Sequence, residues 1–110
     1  MIIGIFRMSG DRYVGRLRSL TLDVELSIVP APAMGDDGAP AWRLCLGSQG
    51  EGAETGVGWN RTGEVAGAYI ALQINDPALT EPMRAHLLHS GQKDDNRYLL
   101  WSRFPIRESN

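Results

Sequence analysis

In residues 21–29, TLDVELSIV, the apolar Leu22, Val24, Leu26 and Ile28 alternate without a break with Thr21, Asp23, Glu25 and Ser27. Successive side chains of an extended strand point to opposite faces, whereas an amphipathic helix needs its apolar residues three and four apart. This segment is therefore a strand with one dry and one wet face. The same period recurs in YIALQIN, through Ile70, Leu72 and Ile74, and in WRLCL, through Trp42, Leu44 and Leu46. Chain breakers separate these runs: the Ala-, Gly-, Asp- and Pro-rich residues 30–40, then GSQGEG, NDP and SGQKDDN. Short alternating runs joined by turn formers predict an antiparallel all-β domain, a small barrel or sandwich of about seven to eight short strands. The strands are expected near residues 2–7, 12–19, 21–29, 42–47, 55–60, 68–75, 83–88 and 97–104.

One segment reads two ways. In LTEPMRAHLLHS, Thr80 and Glu81 could open a helix with Pro82 in its first turn. Met83, Ala85 and Leu87, however, alternate with Arg84 and His86, so a strand that tolerates Pro82 at its start is favoured. The chain has 110 residues and 43% hydrophobic content, which fits one domain with its own core. That domain is assigned to residues 1–104, and residues 105–110 are expected to form a loose tail. A single cysteine, Cys45, cannot form an internal bridge and lies in an apolar run as a small core residue.

The opening MIIGIFRMSGDRY lacks the apolar core of a secretory signal, and no apolar stretch is long enough to span a bilayer. A cytoplasmic protein without membrane contact is expected, and the Asn60-Arg61-Thr62 sequon reads as chance. A formal charge of −2 argues against the broad basic surface of a non-specific nucleic-acid binder. The charge is nevertheless uneven. Arg7, Arg12, Arg16 and Arg18 face only Asp11 in residues 1–20, whereas residues 21–59 hold six carboxylates against Arg43. Cross-strand pairing between neighbouring strands is the expected cause, with a phosphate-binding stripe as the alternative.

Catalytic constellations are not found. The glycines of GSQGEGAETGVG match neither a dinucleotide fingerprint nor a P-loop, and they read as turn and bulge residues. Ser48 lacks the flanking glycines of a nucleophile elbow. His86 and His89 could share a metal only on a helix, since in a strand this spacing sends them to opposite faces. Asp23 with Glu25, Asp36 with Asp37 and Asp94 with Asp95 read as solvated pairs. The chain is accordingly expected to be no enzyme, with no catalytic residues, no metal and no cofactor.

Surface recognition remains. In YLLWSRF, residues 98–104, Leu99, Trp101 and Arg103 fall on one strand face and Tyr98, Leu100, Ser102 and Phe104 on the other. If the second set is core, Trp101 and Arg103 form an exposed aromatic-cation pair of the kind that anchors interfaces. If the first set is core, Arg103 covers the rim of a buried Trp101 with its aliphatic stem, and that arrangement is favoured. Trp59, between Gly58 and Asn60, poses the same question. Together with Tyr69, Arg16 and Arg18, these residues are the candidate partner-binding set.

The ordered set of short motifs resembles a bacterial family, domain of unknown function 736, nearly end to end. It comprises IGIF, the Ser-Gly-Asp turn, Tyr13 with Gly15, LRSLTL, Ala39-Pro40 with Trp42-Arg43, Gly56 to Trp59, Tyr69, Asp76-Pro77, Pro82, Ala85, Leu87 and Leu100 to Arg103. Asn75 stands where the family usually has an aspartate, and Met83-Arg84 replace an Ile-Tyr pair. The resemblance implies a bacterial cytoplasmic protein, often carried on plasmids or integrated conjugative elements, without a settled activity. Joined to the residue reading, it leads to the expectation of a non-catalytic β-domain that binds a protein, its own copy included, in the service of a mobile element. One version inhibits a host defence complex, its acidic surface imitating nucleic acid. The alternative is a single-stranded nucleic-acid binder of the oligonucleotide-binding-barrel type, stacking bases on Trp59, Tyr69 or Trp101 and meeting phosphates with Arg16, Arg18 or Arg103.

Overall fold

A computed structural model describes residues 2–20, 22–32, 38–63, 67–76, 79, 81–89 and 96–101. Eight strands follow one another: β1 (Ile2–Ser9), β2 (Arg12–Arg18), β3 (Asp23–Pro30), β4 (Trp42–Leu46), β5 (Glu54–Gly63), β6 (Gly67–Ile74), β7 (Met83–His89) and β8 (Asn96–Trp101). Each pairs antiparallel with the next, and β8 returns to pair with β1, closing a barrel. The barrel-or-sandwich expectation thus resolves to a barrel, and residues 83–89 form a strand, as their alternation predicts. Ser102, Arg103 and Phe104, along with the tail at 105–110, lie outside the described residues.

Turn chemistry sets the first register. Ser9 pairs with Arg12, leaving Gly10 and Asp11 as a two-residue loop, and Gly10 has φ 65°. Positive φ at the first position alone belongs to a II′ turn, whose twist matches the strands that it joins and which glycine adopts without strain.

An eight-stranded barrel has an interior just wide enough for side chains to fill. Here Phe6, Leu17, Leu26, Ile28, Leu44, Leu72, Leu87 and Leu99 fill it, all fully or almost fully buried. Large and small residues are matched between adjacent strands on the inner face. Gly15 lies opposite Phe6, and a Cβ on it would sit 2.6 Å from the ring and 2.2 Å from the Ile5 carbonyl oxygen. At one end of the barrel Leu22, Val24, Leu79, Met83 and Trp101 pack against this core; at the other Tyr13 and Trp42 do so. Trp101 therefore shares the inner face with Leu99, which answers the question that YLLWSRF poses.

A second dry layer lies outside the barrel. Ser27 and Cys45 face each other across β3 and β4 on the outward side, yet they are 0% and 1% exposed. The β4–β5 connection reaches this outward side beside them. Gly50 lies so near Val29 that a Cβ would come within 2.8 Å of Val29 Cγ1, and the Arg12 guanidinium donates to the Gln49 carbonyl. Among the described residues no helix is long and apolar enough to cross a membrane.

Candidate interaction surface

Registers fix which side chains share the outer wall. One row runs from Leu88 through Tyr98, Ile5 and Arg16 to Glu25, and the next pairs His86 with Leu100 and Leu100 with Ile2. Partners in such rows lie on one face of the sheet. Phe6, one residue after Ile5, points into the core, so Ile5 points out and is 51% exposed; Ile2 is 58% exposed. A register shift at Ile2/Gly4 lets Ile3 turn inward beside them. Two β-branched side chains with Tyr98 and Leu100 thus make an outward apolar patch on β8 and β1.

Cations border this patch. Arg7 pairs with Val14 and Arg16 with Ile5, placing apolar and cationic groups on alternate corners of a square. An open groove of about 510 Å3 runs here, lined by Ile5, Arg7, Val14, Gly15, Arg16 and Glu25. Arg16 Nε donates to Asp23 Oδ1 at 2.5 Å, and Arg18 Nε lies 3.4 Å from the same oxygen. The hydrogen bond from Arg16 leads in holding the Asp23 carboxyl below its ordinary range; slight desolvation opposes it, and the charges of Arg16 and Arg18 assist. Cross-strand pairing of the basic first segment with the acidic second is therefore real, although Arg16 reaches diagonally to Asp23 instead of straight across to Glu25.

The candidate residues divide among three places. Arg16 and Arg18 stand on this wall. Trp59 and Tyr69 stand on the outward side of β5 and β6, on the far side of the closed sheet from β2. Trp59 is half-buried, its Nε1 donating to the Gly38 carbonyl at 2.9 Å and its ring 6.0 Å from the Arg61 cation. Tyr69 is only 6% exposed, its ring 4.6 Å from that of His86, so neither of its faces is open for a base to stack on. Trp101 belongs to the inner face at a barrel end. The set is thus not one site. Ile2, Ile5, Arg7 and Tyr98 were missing from it, although IIGIF does carry a signal: Ile2, Ile3, Ile5 and Phe6 cannot all face one side of a strand.

Two further groups of polar residues lie away from this wall. At the barrel mouth Tyr13 and Trp42 rings are 5.5 Å apart, the Arg97 cation lies 5.7 Å from the Tyr13 ring, and Trp42 Nε1 donates to Asn60 Oδ1 at 2.9 Å. This ladder caps the core. His86 lies in the outward row and His89 pairs with the inward Arg97, so the strand separates them. Among the described residues no three His, Cys, Asp or Glu side chains gather as a metal-binding group.

Charge is sorted by position. Arg7, Arg12, Arg16 and Arg18 lie on β1 and β2, and Arg43, Arg61, Arg84 and Arg97 lie on later strands. Among the described residues, only Asp23, Glu25 and Glu54 of the carboxylates fall within the eight strands. The strand-borne wall is basic although the chain as a whole is acidic.

No curated protein and no solved structure is detectably similar to this chain. The eight-stranded closed barrel lies within residues 2–104, which match a family described as protein of unknown function (DUF736), and the chain belongs to that family.

Proposed function

We propose that this barrel is a non-catalytic binding domain that engages a protein partner through the outer wall of β8, β1 and β2, in the cytoplasm and in the service of a bacterial mobile element. The observation that carries the reading is the exposure of Ile2 and Ile5 beside Tyr98 and Leu100, on a wall edged by Arg7 and Arg16. Isolated exposed apolar residues are ordinary, but a contiguous patch rimmed by polar groups marks an interaction surface. Because the sheet closes on itself, the partner meets side chains and not a free strand edge. The mobile-element setting comes from the family resemblance, and a host defence complex is the partner that such a setting implies.

A photo-crosslinking amino acid placed at Ile5 in cells of the natural host should give a discrete protein adduct, and one placed at Arg84 should not. Adducts at both positions alike, or at neither, refute the assignment of this wall.

A second reading rests on the opposite wall. The outward residues Val57, Trp59 and Arg61 of β5, Ala71 and Gln73 of β6, and Arg84 and His86 of β7 include an aromatic-cation pair and no carboxylate. Such a face suits single-stranded nucleic acid, whose bases stack while its phosphates meet cations. It predicts tryptophan fluorescence quenching by oligothymidylate that fades as salt rises; a flat titration at low salt removes it.

A further inference from the structure

We infer that the groove over β1 and β2 takes an acidic segment of a partner protein, its carboxylates held by Arg7 and Arg16 and an aliphatic side chain laid on Ile5 and Val14. This rests on the protein-binding reading above and adds the chemistry of what is bound.

The register carries the argument. Ile5 opposite Arg16 and Arg7 opposite Val14 put the two cations on one diagonal of the square and the two apolar groups on the other. Diagonal neighbours in an antiparallel pair are about 7–8 Å apart, close to the spacing of alternate side chains along an extended peptide. One strand-like segment can therefore present two carboxylates to both guanidinium groups. Arg7 makes no hydrogen bond or ion pair among the described residues, and Arg16 commits its Nε to Asp23. A guanidinium binds a carboxylate through two parallel N–H donors, so Arg7 has its full fork free and Arg16 its two Nη groups. Glu25 closes the groove beyond Arg16 and repels an anionic chain that runs further, which limits the segment to the two arginines.

Charge also decides between occupants. A second copy laid face to face about Ile5 brings the Arg7 and Arg16 pair of one chain against that of the other, and like charges so placed oppose association. An acidic partner gains what a second copy loses.

The test uses the isotope-labelled full chain and a synthetic dodecapeptide of Asp and Glu with two central leucines. Amide shifts should be confined to β1 and β2 and to their neighbours in β3 and β8. Affinity should fall about tenfold in Arg7→Glu, recover partly in Arg7→Gln, fall again when the leucines become alanine, and weaken with salt. Thr62→Glu, at an exposed position of β5 away from this wall, should bind as the parent does. Shifts elsewhere or none, or binding indifferent to Arg7→Glu, overturn the inference. So does a preference of this groove for oligothymidylate over the peptide, or self-association abolished by Ile5→Glu. The crosslinking result separates the two levels: an adduct at Ile5 that survives Arg7→Glu refutes the acidic chemistry and leaves the wall standing, whereas no adduct at Ile5 removes both.

Discussion

Asp23 takes two arginines on one oxygen, and the sign of its effect follows from the lowered carboxyl value in the fold. A group depressed on folding contributes stability that is fully present above its unfolded value, near 3.8, and that is lost as pH falls through the folded value. The midpoint of the Asp23 carboxyl in a carbon-detected titration should therefore lie below 3.8, and Arg16→Gln should raise it more than Arg18→Gln, because the Arg16 hydrogen bond leads. At neutral pH Asp23→Asn should change stability little, as the pair is solvent-exposed. Gly15 is the opposite kind of residue, silent in charge and decisive in volume. With the Ile5 carbonyl 2.2 Å and the Phe6 ring 2.6 Å from the position of an added Cβ, Gly15→Ala has to move backbone. A loss of about 1–3 kcal/mol or more is expected in urea unfolding. Truncating Phe6 itself, fully buried, should cost about 3–5 kcal/mol, and neither change should be offset by the other, since the backbone clash remains.

Strands were legible wherever period two was clean, and β7 was settled correctly by Met83, Ala85 and Leu87 despite Pro82. What period two leaves open is whether the wet face stays wet. Ser27 sits on the polar side of the clearest alternation in the chain and is fully buried, and the β4–β5 connection some twenty residues later in sequence reaches that same outward side at Val29. Cys45 was legible as buried for its apolar neighbours, but it faces that outer layer and not the lumen. How the candidate residues are distributed was illegible for a related reason. Aromatic and cationic residues can be found by inspection, but which of them meet depends on register and closure, and these put Trp59 and Arg16 on opposite walls. The β4–β5 connection is itself open to test. Gly50 has φ 75° and would bring a Cβ within 2.8 Å of Val29, so Gly50→Val is both strained in backbone and crowded. It should lift the connection and speed reaction of the Cys45 thiol with a disulfide reagent under native conditions, whereas Gly47→Ala, strained in backbone at φ 83° but with an added carbon that meets nothing within 4 Å, should do so less.

Closure is the property of the molecule that no single strand encodes. Seven of the eight pairings join neighbours in sequence, and only β1 with β8 ties one end of the chain to the other. That last pairing brings Tyr98 and Leu100 beside Ile5 and Ile2, so the apolar patch proposed to dock a partner exists only when the barrel is shut. An open sheet would leave β1 and β8 as edges, with unpaired backbone groups ready to join other chains, and would split the patch between them. Amide exchange distinguishes the two states, because edge strands exchange by local fraying while strands within a closed barrel open only with much of the fold. Amides of β1 and β8 that face each other should be as slow as those shared by β3 and β4. Leu99→Ala, which removes a fully buried side chain from β8, should cost about 2–5 kcal/mol and should hasten exchange in β1 and β8 ahead of β4 and β5. If closure and docking are one event, the same variant should lose its crosslink at Ile5 under conditions where the remaining strands stay protected. A crosslink that persists after β1 and β8 have lost their protection would show that the docking surface is complete on β1 and β2 alone.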